Sequence, residues 1–235
     1  MKRIIKISLI LLLVGMAVIA AVPFFKEKRA ERKYENEFKN IQESVTEKKS
    51  DVNGLVKKNK DCIGYVQIPG TTISYPVMQT KDKPDFYLNH DFNRNYSFYG
   101  TSYLSAYCDV NKSDNLIIYG HNINGGKMFG ALEQYKDKKF FNKHRKIYFT
   151  TDKKREYEVF AVMSVNIHEF EYWKFVMARD AKEYDEFVDK MEEHSLWRRE
   201  NKQKYGEQML MLSTCDNGKG DDWRIVVIGK EIFLK

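Results

Sequence analysis

From Cys62 to its carboxyl end the chain is written in short apolar runs rich in Ile, Val, Tyr and Phe, each cut off by Gly, Pro, Asn or Asp. Runs of that length suit strands better than helices, and the turn residues between them stop each one early. Ile63-Gly-Tyr-Val-Gln-Ile68 alternates until Pro69-Gly70, and Thr72-Ile-Ser-Tyr75 then leads into Pro76-Val-Met78, so the pair reads as a hairpin. Further strands are expected over residues 100–106, 115–119, 146–150, 156–166, 208–214 and 224–228. Helical pieces are expected near 85–88 and 129–135 and, most strongly, over 181–195, where Tyr184, Phe187, Val188 and Met191 share one face. About eight short strands with few helices avoid exposed sheet edges by closing on themselves. The expected fold is therefore mainly β, a closed or nearly closed barrel with a helix in a long insertion between the late strands.

The first residues set the compartment. Lys2, Arg3 and Lys6 precede an uncharged apolar run over residues 7–25, about the length that crosses a bilayer. A cleaved signal peptide, with Val18-Ile-Ala20 as its small-residue site, is the alternative to an uncleaved anchor. Continuation of the run through Phe24 and Phe25 favours the anchor. Basic residues on both flanks leave the positive-inside count undecided, but a short tail before the span and a long domain after it favour an internal amino terminus. Residues 26–60 are charged and helix-forming, with Phe38, Ile41, Val45, Val52 and Val56 at helical spacing, which predicts one or two amphipathic helices, read either as a stalk or, because the apolar positions continue to the next strand, as packed against the domain. The expected organisation is an anchor over 1–25, a helical extension over 26–60 and one β-barrel domain over 61–235.

The formal charge of +7 comes from Lys and Arg dispersed among Asp and Glu, with no aromatic-interleaved basic stripe, so nucleic acid is not an expected partner. An anionic envelope accounts for the balance equally well. Of the three cysteines, Cys62, Cys108 and Cys215, at least one must remain a thiol. Cys62 and Cys108 read as small core residues, with a disulfide between them as the other reading. No Cys-x-x-Cys or Cys/His ligand spacing occurs, so neither metal nor cofactor is expected.

Cys215 ends the apolar run Met209-Leu-Met-Leu-Ser-Thr-Cys215 and is followed by the polar Asp216-Asn-Gly218, which favours exposure over burial as an inert thiol. A cysteine thiol is largely protonated at neutral pH, so a nucleophilic role needs a neighbour to take the proton. His121, at the end of Asn115-Leu-Ile-Ile-Tyr-Gly-His121, is one such group; alternatively it is a loop histidine that caps a backbone group. Arg224 lies in Trp223-Arg-Ile-Val-Val-Ile228, where a guanidinium needs a partner or a solvated groove. It reads either as an oxyanion donor or as an ion pair with Asp221 or Asp222. His90, His144, His168 and His194 have no motif around them and are expected at the surface.

Ile68-Pro-Gly-Thr-Thr-Ile73 with Tyr75-Pro-Val77, then Tyr119-Gly-His121, Leu212-Ser-Thr-Cys215 and Arg224, together resemble the sortases, thiol transpeptidases that attach proteins to the Gram-positive cell wall. The resemblance runs from about Cys62 to the end. The helical segment before the first strand and the helix-bearing insertion before Gln208 resemble class B in particular. The lid and second span of class C are not seen. One departure is Met211, where the family pattern Thr-Leu-x-Thr-Cys has its first Thr.

The resemblance implies an eight-stranded sortase-type barrel with Cys215 as nucleophile, His121 as acid and base, and Arg224 as oxyanion and substrate stabiliser. It implies cleavage of a carboxyl-terminal sorting signal of Asn-Pro-x-Thr or Pro-x-Thr type through a Cys thioester, followed by transfer to a peptidoglycan amine. It also implies a single-pass protein of the cell membrane, held through residues 7–25, with its catalytic domain on the wall side. Tyr103, Leu104, Ser105, Ser213 and Thr214 are the candidate substrate contacts, with residues 167–205 as one wall and a second groove for the amine near His121. The competing readings are another envelope thiol peptidase or L,D-transpeptidase, and a catalytically silent membrane-tethered binding module.

Overall fold

The computed structural model describes residues 2–47, 52–200 and 203–232, with residues 1–40 and 41–235 as two compact units. Helix α1 (Lys2–Glu47) continues the amino-terminal apolar run through Pro23. Within it Ile5–Lys33 is long and apolar enough to cross a membrane, with a mean hydropathy of 2.7. The expected packing of Phe38, Ile41 and Val45 falls outside the described side chains. Helix α2 (Val52–Lys58) does pack on the domain: Val52 and Leu55 are buried against Cys62, Tyr65, Met78, Tyr87, Phe92 and Tyr103, with Val56 at the margin. Full burial of an aliphatic side chain is worth about 1.5–3 kcal/mol. That is enough to seat so short a helix, which would not be stable alone.

Eleven strands follow among the described residues: β1 (Cys62–Gln67), β2 (Ser74–Met78), β3 (Tyr103–Leu104), β4 (Asn115–Tyr119), β5 (Asn122–Ile123), β6 (Lys127–Met128), β7 (Lys146–Thr150), β8 (Lys154–Asn166), β9 (Ser195–Arg198), β10 (Met209–Cys215) and β11 (Trp223–Ile232). Eight of them close a ring in the order β11-β10-β4-β3-β2-β1-β7-β8, with β8 pairing back onto β11. The long β8 makes closure feasible. One of its edges carries β11 over nearly its whole length; the other carries β7 near its start and β9 over Ala161, Val162 and Met163. Strands β5 and β6 form a separate ribbon just after β4.

Most pairs are antiparallel, but β4 and β10 run parallel, so both deliver their carboxyl ends to the same rim. Met209 through Leu212 and Ile225 through Ile228 are fully buried and anchor these strands in the core. Met211, the departure from the sortase pattern, sits there opposite Ile228 and Ile117, with the Asn115 side-chain amide 3.5 Å from its sulfur. The change is one of core packing.

Two expectations need correction. Of residues 100–106 only Tyr103 and Leu104 pair as a strand, because Gly100 takes a positive φ, the Thr101 amide donates to the Tyr87 carbonyl, and the Thr101 and Ser102 hydroxyls donate to the carbonyls of His90 and Pro76. Among the histidines expected at the surface, His144 is buried, stacked on Phe140 with Nδ1 3.0 Å from the Pro69 carbonyl, and His90 and His194 are half-covered by Phe86 and Phe170. His168 alone of the four is exposed.

The insertion between β8 and β10 carries helix α4 (Ala181–Glu193) and β9. Asp180 caps α4 by accepting from the Glu183 amide at 2.9 Å, a contact worth about 1 kcal/mol. Tyr184, Phe187, Val188 and Met191 form its buried face, as their spacing requires. A short helix α3 (Lys138–Lys143), capped by Asp137, precedes β7.

Candidate active site

The three candidate residues come from three adjacent strands or their ends. Cys215 is the last residue of β10 and stands directly opposite Arg224 on β11. Directly paired residues of an antiparallel ladder project to the same face, with Cβ atoms about 5 Å apart. On the other side, β4 pairs in parallel with β10 up to Tyr119 and Ser213. Two further residues along the same register bring His121 level with Cys215.

The register is held beyond the strand end by specific bonds. Gly120 N–H donates to the Ser213 carbonyl at 3.2 Å, the Thr214 hydroxyl donates to the Gly120 carbonyl at 2.7 Å, and the Asn122 side-chain amide donates to the Cys215 carbonyl at 2.8 Å. His121 lies between two residues that are both tied to the Cys215 segment. Gly120 has a packing reason: a Cβ there would lie 2.7 Å from the Phe129 ring, which closes over this backbone.

The imidazole is oriented by the main chain. Its Nε2 lies 2.7 Å from the carbonyl oxygen of Leu88, at the end of the 3-10 helix Phe86–Leu88. A carbonyl only accepts, so Nε2 carries a proton and Nδ1 is the nitrogen left to take one. Capping a backbone group and acting as a base are thus compatible in His121, through different ring nitrogens.

Arg224 is half-exposed. Its Nη1 donates to the carbonyls of Asp221 at 2.5 Å and Trp223 at 2.9 Å, while neither Asp221 nor Asp222 supplies a carboxylate to it among the described residues. Two bonds from Nη1 leave the Nε and Nη2 edge, the fork that binds an oxyanion or carboxylate in two places, without a protein acceptor among the described residues.

The candidate substrate contacts Tyr103, Leu104, Ser105, Ser213 and Thr214 are all buried. The Thr214 hydroxyl is committed to Gly120, and the Ser213 hydroxyl lies 2.7 Å from the Tyr172 hydroxyl. Tyr103 donates to Asp85 at 3.0 Å; burial, then that carboxylate, push its phenol up from the ordinary range. These side chains line and brace the rim.

Two residues here went unnoticed in the sequence. Tyr172, from the insertion, reaches Ser213 and lies close enough to Arg224 and Cys215 to sense both. Burial raises its hydroxyl to about 12, against the Ser213 hydrogen bond and the Arg224 charge. The aromatic cluster Phe170-Glu-Tyr-Trp173 inside an otherwise charged insertion was the available signal.

Asp216 is the other. It belongs to the polar turn, yet it is fully buried, accepting from Lys136 Nζ at 2.5 Å and the Ser164 hydroxyl at 2.7 Å. Burial alone would raise its carboxyl, but the Lys136 and Ser164 bonds outweigh burial and lower it. A carboxyl lowered on folding contributes stability above its unfolded pKa and loses it as pH falls through the folded value. Asp216→Asn is therefore expected to cost about 2 kcal/mol at neutral pH, with the difference from wild type shrinking below about pH 4. Urea unfolding of the detergent-solubilised chain at pH 7 and pH 3 measures this; an equal penalty at both would deny the ion pair its role.

A thiol flanked on one side by an oriented imidazole and on the other by a guanidinium fork is a constellation for acyl transfer through cysteine. The sortase domain family matches residues 66–232. A curated sortase B of Listeria monocytogenes is 31% identical over 78% of this chain and 75% of its own length. The Staphylococcus aureus sortase B–substrate complex superposes with a TM-score of 0.77 at 27% identity, covering 90% of this chain and 100% of that one. A sortase B structure complexed with triglycine gives 0.76 at 27% identity, covering 89% and 100%. The chain belongs to the sortase family, whose members are cysteine transpeptidases. Within it the barrel, the helical amino-terminal extension and the late helix-bearing insertion are those of class B.

Proposed function

We propose that Cys215, His121 and Arg224 carry out the transpeptidation, with a sorting-signal peptide of Asn-Pro-x-Thr or Pro-x-Thr type as acyl donor and a peptidoglycan amine as acceptor. The observation that carries this reading is the row of three across β4, β10 and β11, fixed by the Cys215–Arg224 register and the bonds on either side of His121. Nδ1 of His121 takes the Cys215 proton, and the thiolate attacks the Thr carbonyl carbon. The new C–S bond leaves an oxyanion facing the Arg224 fork; collapse breaks the peptide C–N bond, and the His121 proton passes to the departing amine. An incoming amine then attacks the thioester carbonyl, gives its proton to Nδ1 and releases the Cys215 sulfur. The related enzymes solved with a substrate and with triglycine agree with a peptide donor and an amine acceptor.

The same reading divides the chain into an anchor over residues 1–25, a helical connection over 26–60 and the catalytic domain over 61–235. The apolar helix holds the domain on the wall side of the cell membrane in a single pass.

The test uses the full chain in a non-ionic detergent, mixed with sorting-signal peptides with and without triglycine. Mass spectrometry is expected to find a thioester on Cys215 that triglycine discharges, and none in Cys215→Ala. Absence of an adduct with every peptide, or an adduct that persists in Cys215→Ala, would sink the assignment.

A further inference from the structure

We propose that the cavity between α3, β8 and β9 is an oxyanion-binding site, taking a phosphate or carboxylate group carried on a larger molecule. The cavity has a volume of about 590 Å³ and shares no residue with the Cys215 site. Lys138, Arg145, Arg198 and Arg199 line it, against the carboxylates of Glu158 and Glu200. Two of the cations are already neutralised, Arg145 by Glu158 at 2.5 Å and Arg198 by Glu192 at 3.3 Å. Lys138 and Arg199 meet no carboxylate among the described residues.

Arg199 is held in place as a binding group is. Its Nε donates to the Val159 carbonyl at 2.8 Å and its Nη2 to the Phe141 carbonyl at 3.2 Å, while its guanidinium lies 4.5 Å from the centre of the Phe141 ring. These contacts fix the plane of the group and leave most of its N–H donors without a protein acceptor among the described residues. Burial and the neighbouring Arg145 both disfavour the charge, lowering its pKa against the pull of Glu158. The Glu158 carboxylate that pulls on Arg199 is already paired with Arg145, so this half-buried cation has no ion-pair partner of its own among the described residues, and an oxyanion on its remaining donors supplies one.

Lys138 adds a second free charge from α3. Its ammonium lies 5.3 Å over the Trp197 ring, which is itself fixed by donating Nε1 to the Lys136 carbonyl at 3.1 Å. A single phosphate would leave most of the cavity empty, and Trp197, Leu196 and Phe141 offer the remaining wall to the ring or apolar part of a larger ligand. This site does not depend on Cys215 being the nucleophile.

Calorimetric titration of the full chain in non-ionic detergent at low salt, with inorganic phosphate and separately with citrate, tests it. Saturable binding of at least one probe is expected, weakened about tenfold in Arg199→Gln and in Lys138→Gln. Lys138 is exposed and its side chain bonds to no backbone group among the described residues, so its variant keeps the test valid if Arg199→Gln does not fold. Binding of phosphate alone assigns a phosphoester ligand, of citrate alone a carboxylate, and of both a site that reads charge. No saturable binding by either probe, or equal affinity in Lys138→Gln, would overturn the proposal.

Discussion

Arg224→Ala is expected to turn over sorting-signal peptide about 10²- to 10³-fold more slowly than wild type, with most of the loss in kcat. Arg224 faces Cys215 across the β10–β11 ladder, and its Nη1 is spent on the carbonyls of Asp221 and Trp223. Those two bonds hold the Nε and Nη2 edge still before any substrate arrives. Donors fixed in advance need no reorganisation when the oxyanion forms, which is why their removal falls on the rate and not mainly on binding. Stability should fall by only about 1 kcal/mol, the worth of an ordinary hydrogen bond at a half-exposed position. Arg224→Lys is the discriminating variant: an ammonium keeps the charge but loses the fork, so it should recover little of the rate. If Lys restores wild-type kcat, the two-point contact assigned to Arg224 is wrong.

Gly100→Ala should lower kcat/KM by about 10²-fold without touching any of the three residues. Gly100 has φ +58°, and a Cβ there would stand 2.4 Å from the Leu88 carbonyl oxygen and 2.7 Å from that of Tyr87. Both clashes are with backbone, so the 3-10 segment has to move. The Leu88 oxygen is the acceptor that holds His121 Nε2–H. Its displacement frees the ring and mixes the tautomers, reducing the fraction with Nδ1 available to the thiol. Strain at a left-handed position adds a stability cost of about 1–3 kcal/mol. Nitrogen-15 shifts of the His121 ring separate the two effects: wild type should show a protonated Nε2, and Gly100→Ala a mixture. Unchanged kinetics and unchanged shifts in a destabilised Gly100→Ala would show that the Leu88 carbonyl does not orient His121, the proposed base.

Much of the barrel was legible because strand propensity and turn punctuation coincide. Residues 115–119 and 146–150 appear as β4 and β7 with the expected bounds, and the hairpin about Pro69-Gly70 appears as β1 and β2. The failures occur where local signal was weak or was overruled. Strand β9 (Ser195–Arg198) was not expected, the helix predicted over 181–195 reaching only its first residue, and it exists because Ala161, Val162 and Met163 of β8 offer it an edge. Helix α3 is under two turns long, too short for periodicity to show. The strand expected over 100–106 shrank because Gly100 and the Thr101 and Ser102 hydroxyls draw the chain toward the Leu88 loop and β2.

By itself the sequence determined the apolar amino-terminal helix, the barrel class, and that a cysteine, a histidine and an arginine each sit at or near a strand end. Those are local properties: run length, hydropathy and turn residues act over a few neighbours in the chain. Tertiary structure alone decided that β4 runs parallel to β10 and puts His121 level with Cys215, that Leu88 fixes the imidazole through Nε2, and that Asp216 leaves its polar turn for Lys136 and Ser164. It also decided that Arg224 rests on the backbone carbonyls of Asp221 and Trp223, and not, among the described residues, on the carboxylate of Asp221 or Asp222. Each is a partnership between residues far apart in the chain, set by how strands pair when the barrel closes, and one-dimensional patterns carry no record of which strand lies beside which.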